Sequence, residues 1–481
     1  MRRRIPLPLP NTGSMYRRRN AYCIRATITI FVLFILLQIH VSYYSESRDP
    51  IVGDPTNDST AAILSMVPSV FHKFLKVKTR NQTLTAVGNH NGTTQNLYLE
   101  VYHPPNITEI KRMIAKYNEL QIVLNEDTFG PLQNDSVIIV IQVHTRITYL
   151  RHLIVSLAQA RDISKTLLIF SHDYYDEDIN DLVQTIDFCK VMQIFYPFSI
   201  QTHPHEFPGV DPGDCPRDMK RDQAIIRKCN NALHPDLYGH YREAPFTQTK
   251  HHWWWKANRV FDQLEVTRFH TGLVLFLEED HYVAEDFLYL LELMEKRAHD
   301  LCPQCNILSL GTYLKTFNYY TYNSKVEVMP WISSKHNMGF AFNRSTWHGI
   351  RVCAKHFCSY DDYNWDWSLQ HVSQQCLVKK LHAMIVKGPR VFHIGECGVH
   401  HKKKNCESNQ VISKVQQVLR IARNAGQMFP RSLTLTVVSL IKKTKLRKGN
   451  GGWGDLRDFQ LCMNTTIPTR KNTTHRNIKI K

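Results

Sequence analysis

Residues 1–45 contain no acidic side chain, and neither do residues 470–481. The two ends carry seven and five Lys or Arg residues instead, twelve of the eighteen excess positive charges of the 481-residue chain. What lies between is much closer to balance, so the basicity belongs to the tails and argues only weakly for a nucleic-acid partner. Reaction signatures are missing as well. There is no G-x-S-x-G, no Walker A sequence and no H-E-x-x-H, which removes the usual marks of a serine hydrolase, a P-loop nucleotidase and a zinc protease. No internal repeat is present, which argues against a solenoid or propeller. "CPQC" (302–305) has no second C-x-x-C, so a short structural disulfide explains it better than a zinc or redox pair.

What is present at the N-terminus explains its charge. After seven Arg comes "ATITIFVLFILLQIHVSYY" (26–44), long enough at 1.5 Å per residue to cross a bilayer. The Arg excess before it and Glu46 after it predict a cytosolic tail (1–25), a signal anchor (26–44) and a lumenal remainder, the type II orientation. A cleaved signal peptide is the rival. It is disfavoured by the long basic lead, the length of the apolar run and the lack of an A-x-A site. Eight sequons, headed by Asn57, Asn81, Asn91, Asn106, Asn134, Asn343, Asn464 and Asn472, suit a lumenal, glycosylated chain. Of twelve cysteines only Cys23 falls on the cytosolic side; the other eleven meet an oxidising compartment, where disulfides form and one thiol is left over.

Residues 45–106 are polar and rich in sequons, which predicts a stem. From residue 107 the texture changes. "SVIIVIQVH" (136–144), "TLLIFSHD" (166–173) and "KVMQIFYP" (190–197) are apolar runs that read as buried strands, with the helix-spaced "YLRHLIVSLAQAR" between the first two. This is βαβ grammar, and it predicts an α/β domain over 107–465 with ligands beyond the carboxyl ends of the strands. A basic tail (466–481) follows. Further on, "TKHHWWWKANRVFDQLE" (249–265) predicts a helix, "GLVLFLEEDH" a strand, and "NILSLGTY" and "MGFAFN" shorter strands.

Four segments carry candidate chemistry. Glu278, Glu279 and Asp280 end an uncharged strand, where carboxylates suit Mg²⁺ or Mn²⁺ and a diphosphate; an acidic solvated turn is the alternative. In "DDYNWDW" (361–367), Asp366 lies between Trp365 and Trp367. That pattern fits a sugar stacked on an aromatic face and a carboxylate base, or else a turn with Trp in the core. His393 follows an apolar run and reads by itself as either a buried core histidine or a metal ligand. In "QTKHHWWWK", Lys250, His251 and His252 offer donors to phosphate or base, or simply begin a helix. Three consecutive Trp cannot share one helix face, so at least one is expected to be exposed or in a cleft.

Taken together, "FLEEDH", "QTKHHWWWK", "YDDYNWDW", "VFHIGECGVHHKK" and "NGGWGD" resemble the N-acetylglucosaminyltransferase II family over about residues 110–465. That family comprises Golgi inverting transferases of GT-A fold, a Rossmann-like mixed sheet. They move GlcNAc from UDP-GlcNAc in β1,2 linkage to the α1,6-arm mannose of N-glycans. The resemblance implies Golgi-membrane localisation, a Mn²⁺ cofactor, UDP-GlcNAc and a glycoprotein N-glycan as partners, and no nucleic acid. It makes Asp280 and His393 metal ligands, with Glu278 and Glu279 in support, and Asp366 the general base. Gln142, Val143, His144, Thr145, Arg146, Asp173, Gln248, Thr249, Lys250, His251 and His252 match its nucleotide-sugar contacts. Trp365 and Trp367 would flank the acceptor.

The resemblance also implies disulfides Cys215–Cys229, Cys302–Cys305, Cys353–Cys376, Cys358–Cys462 and Cys397–Cys406, leaving Cys189 free. One position departs from the family. Phe317 stands near its donor-contacting Arg, for which Lys315 is the nearest substitute. The rivals are a related transferase acting on the α1,3 arm and an inactive membrane-anchored glycan-binding protein.

Overall fold

Uninterrupted β-branched and aliphatic runs fold here as the centre of a ten-stranded mixed sheet, as expected of strands covered on both faces. The computed structural model describes residues 63–76, 84–85, 98–99, 105–313, 317–395, 408–438 and 448–466. The predicted cytosolic tail and anchor, most of the stem, Lys315, the Cys397–Cys406 pair and residues 467–481 lie outside these. No helix among the described residues is long and apolar enough to cross a membrane.

Asn106 opens helix α1 (Ile107–Leu120) through a capping box with Glu109. Strands β1 (Val123–Leu124), β2 (Ile138–Val143), β3 (Leu167–His172) and β4 (Lys190–Phe195) follow, with helix α2 (Ile147–Ala158) between β2 and β3 and α3 (Glu177–Gln184) between β3 and β4. A long connection leads to helix α4 (Ala244–Asp262) and strand β5 (Leu273–Glu278). Then come β6 (His281–Val283), α5 (Phe287–Leu301), β7 (Ile307–Ser309), β8 (Lys325–Pro330), β9 (Phe340–Asn343), α6 (Trp365–Gln375), β10 (His382–Val386), β11 (Val391–His393), α7 (Ser408–Asn424), β12 (Thr434–Val438) and α8 (Leu456–Thr466).

The sheet order is β12-β8-β10-β7-β9-β5-β2-β3-β4-β1. Strands β5, β2, β3 and β4 run parallel, and β9 lies antiparallel to β5. The chain leaves β2 towards β3 on one side and returns to β5 on the other. The carboxyl ends of β2 and β5 therefore flank a topological switch point, with Gln142 opposite Glu278. Alternate residues of the same strands feed two cores. Ile139, Ile141, Leu168 and Phe170 pack against α2, α3 and α5. Ile138, Val140, Leu167 and Ile169 pack against Trp253 and Trp254 of α4 and Leu369 of α6.

Residues 63–76, placed in the stem by the sequence, belong to this body. Val67 and Phe74 join the first core, and Arg151 of α2 donates to the carbonyls of Phe74 and Lys76. Disulfides join Cys215 to Cys229, Cys302 to Cys305, Cys353 to Cys376 and Cys358 to Cys462, while Cys189 is buried and free.

Candidate active site

The acidic end of β5 turns back into β6, and each of its three carboxylates goes to a different place. Glu279 faces the end of β2, where its carboxylate accepts from the His144 N–H (2.7 Å) and from Arg146 Nε (2.7 Å). Arg146 Nη1 also reaches Asp280 Oδ2 at 2.8 Å, so one guanidinium locks the turn to the loop after β2. His393 Nε2 stands 3.1 Å from the same oxygen. The chain after β11 wraps Asp280 closely. Ile394 donates to its carbonyl, and a Cβ at Gly395 would meet Oδ2 at 2.3 Å.

Asp280 Oδ1, by contrast, is buried with no hydrogen-bond partner. A buried, unpartnered carboxylate oxygen is costly unless something positive reaches it. Glu278, Asp280 and His281 present ligand atoms within 4.8 Å of one another, with His393 adjacent, an oxygen and imidazole set that fits a divalent cation. Burial works against the Asp280 carboxylate, but His393 and Arg146 outweigh it and hold its pKa below the usual range. Glu278 is raised by burial and by Asp280. His281 was not among the residues expected to serve the metal. Its Nδ1 accepts the Glu278 N–H at 3.1 Å, which fixes the ring inside the turn.

At the end of β3, Asp173 is buried and gathers three partners. His144 Nδ1 lies 2.6 Å from one oxygen, while Gln248 Nε2 (3.1 Å) and His252 Nδ1 (3.4 Å) share the other. Burial pushes this carboxyl upward, but the hydrogen bond from His144 and the nearby His252 ring prevail and hold its pKa below the usual range. His252 Nε2 pairs with Ser171 at 2.8 Å. One turn on, Lys256 Nζ donates to Gln142 Oε1 across 114 residues of sequence. Burial pushes the Lys256 ammonium down to about 7, opposed by Glu278 and Asp173. Gln248, His252 and Lys256 are four residues apart and so share one face of α4, turned to the strand ends. Lys256 escaped the sequence reading, although that spacing marks it. Val143 is fully buried and contributes main chain, Thr145 is exposed, and Thr249 is half-buried.

Two of the expected donor contacts lie elsewhere. Lys250 is fully buried and donates to the carbonyls of Tyr360 and Asp362, each at 3.0 Å. His251 Nε2 meets Asp458 at 2.9 Å, beside Arg242. Both lie on the face of α4 turned away from the strand ends. The expectation of an exposed Trp fails too. Trp253, Trp254 and Trp255 are all buried, because α4 has the sheet on one side and α6 and α8 on the other.

Asp366 sits in the first turn of α6. Its oxygens accept from the Trp367 N–H (2.9 Å) and from Asn337 Nδ2 (3.0 Å). Burial raises its pKa to about 7, with the charges of Asp362 and Glu278 adding to the effect. The helix that carries Asp366 and the acidic turn therefore feel one another. Tyr313 is half-exposed with its ring 6.5 Å from that of His393, and its phenol is raised by burial and then by Glu278, Asp366 and Asp280. Trp365 does not offer a face to a sugar. It stacks on Trp253 at 4.6 Å and against Phe340 at 5.6 Å. Trp367 is half-buried. Phe317 packs edge-on against Phe392. Beside the 360–364 turn opens a cavity of about 310 Å³, lined by residues including Arg217, Asp236, Glu243, Tyr363 and Asn450.

Residues 111–462 match the family model described as N-acetylglucosaminyltransferase II (MGAT2). The chain belongs to the N-acetylglucosaminyltransferase II family. The rat alpha-1,6-mannosyl-glycoprotein 2-beta-N-acetylglucosaminyltransferase is 44% identical over 352 residues, covering 73% of this chain and 79% of the relative. The human enzyme of that name is also 44% identical over 352 residues, covering 73% and 78%. The Arabidopsis thaliana enzyme of the same name is 34% identical over 349 residues, covering 70% and 76%. As a member of the N-acetylglucosaminyltransferase II family, the chain is an enzyme of glycosyl transfer.

Proposed function

We propose that this chain transfers GlcNAc from UDP-GlcNAc to O2 of the α1,6-arm mannose of an N-glycan, with inversion, on a GT-A type fold. The observation that carries the mechanism is Asp366, a carboxylate raised to about 7 and electrostatically coupled to the acidic turn. A base is most effective when its pKa lies near the working pH. Asp366 takes the proton of the mannose hydroxyl as that oxygen attacks C1 of GlcNAc from the face opposite UDP. The C1–O bond to the diphosphate breaks, and the α-linked donor becomes a β product. Trp367 and Asn337 hold the carboxylate in place for this attack.

Asp280 and His393 would hold Mn²⁺, with Glu278 and His281 beside them. Bound there, the ion would supply positive charge against the diphosphate leaving group. Asp173, kept ionised by His144 and His252, lies at the end of β3, beyond β2, and would accept donors of the nucleoside. The cavity beside Tyr363 mixes charges, an amide and aromatic rings, which suits a hydroxyl-rich glycan. Four disulfides among the described residues support an oxidising compartment, and with the anchor and sequons they favour the Golgi lumen for a domain that spans 107–465 together with residues 63–76.

The test is a transfer assay with UDP-GlcNAc and N-glycans having the α1,6 or the α1,3 arm free, with and without EDTA. Product on the α1,6 mannose, lost in EDTA and restored by Mn²⁺, is expected. Product on the α1,3 mannose overturns the arm, undiminished turnover in EDTA overturns the metal, and glycan binding without transfer leaves a binding protein.

A further inference from the structure

Lys250 does something unusual for its type. Its Nζ is fully buried, lies 4.0 Å from the centre of the Trp453 ring, and donates to two main-chain carbonyls, those of Tyr360 and Asp362. Burying an ammonium is expensive, and carbonyls and an aromatic face compensate only in part. Burial pushes its pKa down to about 7, against the pull of Asp362 and Asp361.

The carbonyls it holds belong to the turn that launches α6. The carboxylate of Asp362 accepts from the N–H and the side-chain amide of Asn364, the residue that starts the helix. Its other oxygen accepts from the N–H and side chain of Asn450, which draws the C-terminal loop onto the same turn. Asp366 follows two residues after Asn364. On its opposite face the helix that carries Lys250 presents Gln248, His252 and Lys256 to Asp173, Ser171 and Gln142. One rigid helix therefore touches both the strand ends and the root of the base-bearing helix.

We infer that Lys250 is a positioning residue: it pins the Tyr360–Asp362 turn to α4 and so fixes Asp366 relative to the donor-binding strand ends. This rests on the reading of Asp366 as the base. Displacing a base by about 1 Å lowers turnover by about 10²-fold without touching donor contacts. The test compares Lys250→Met and Asp366→Asn with the wild-type chain, measuring kcat, KM for UDP-GlcNAc, UDP affinity and the thermal midpoint.

For Lys250→Met, kcat per folded molecule is expected to fall by about 10–10²-fold while KM for UDP-GlcNAc and UDP affinity stay within about twofold, and the midpoint falls modestly because two buried carbonyls lose a donor. A purely structural lysine would lower the midpoint with kcat per folded molecule unchanged, and that result overturns the inference. So does a kcat near wild type. If Lys250→Met does not fold, Lys250→Gln is read by the same criteria, and failure of both variants to fold assigns Lys250 to the core. Turnover surviving in Asp366→Asn removes the base assignment itself. An inactive Asp366→Asn beside a fully active Lys250→Met rejects Lys250 alone.

Discussion

Asp366 accepts from Trp367 and Asn337 and is otherwise buried near other carboxylates. Its proton is therefore lost near pH 7, where an exposed aspartate would be ionised throughout. A base must be deprotonated to act, so activity should rise with pH through an acid limb centred at about 7, or below it when a cation at Asp280 favours the carboxylate. Asp366→Asn should remove the limb and lower kcat by about 10²–10⁴-fold, with UDP binding retained. A profile flat between about pH 5 and 8 would count against this role.

Such residues differ in how far sequence betrays them. Asp280 was legible because charge follows an apolar strand abruptly. His393 was not, since a histidine after a buried run looks the same whether or not a carboxylate 113 positions away meets it. Asn337 and Tyr313 gave no local signal, because their significance lies wholly in side chains brought to them by the fold.

Among elements, β2, β3, β4 and β5 could be read directly, because strands covered on both faces need no polar alternation. Helix α4 was read as a helix, but the burial of its three Trp was not, because helical-wheel reasoning assumes a wet side and its central turns have none. It is walled in by the sheet, by α6 and by α8, the last held by a buried cluster. Asp458 of α8 accepts from Arg242 Nε at 2.8 Å and stands 2.9 Å from His251 Nε2, and all three groups are buried. Removing one member leaves charge stranded without water, so Asp458→Ala should destabilise the protein by about 3–5 kcal/mol in denaturant unfolding. Burial disfavours the Asp458 carboxylate, but Arg242 and His251 outweigh it and depress its pKa. A depressed carboxylate stabilises above its unfolded pKa, so the contribution should persist at neutral pH and fade in acid below about 4. Equal unfolding curves for variant and wild type would mean that α8 is held by apolar packing and by the Cys358–Cys462 bond alone.

At the scale of the whole molecule, the boundary between stem and catalytic body was drawn too late in the chain. The polar, sequon-bearing character of 45–106 is real, but it conceals "ILSMVPSVFHKFLK", in which Ile63, Val67 and Phe74 are buried and Phe71 is half-buried. Pro68 interrupts the helical spacing, which is why no period stood out. The segment crosses α2 as a strap. Phe74 meets Phe188 edge-on at 5.8 Å, Lys73 pairs with Asp187, and Arg151 donates to two of the strap's carbonyls. A secreted form beginning at residue 105 would expose the α2 surface that Val67 and Phe74 cover. It should unfold at a lower temperature than one beginning at residue 62. In the longer form Phe74→Ala should lower stability by about 3–5 kcal/mol, the usual loss for a fully buried aromatic ring. Val67 and Phe74 lie in the core beneath α2, so Phe74→Ala should leave kcat per folded molecule unchanged, whereas Ile63 joins the cluster of Tyr282 and Phe392, sequence neighbours of His281 and His393. Matching unfolding midpoints for the two lengths would return 63–76 to the stem, and a changed kcat would show that the strap acts on the active site as well as on the core.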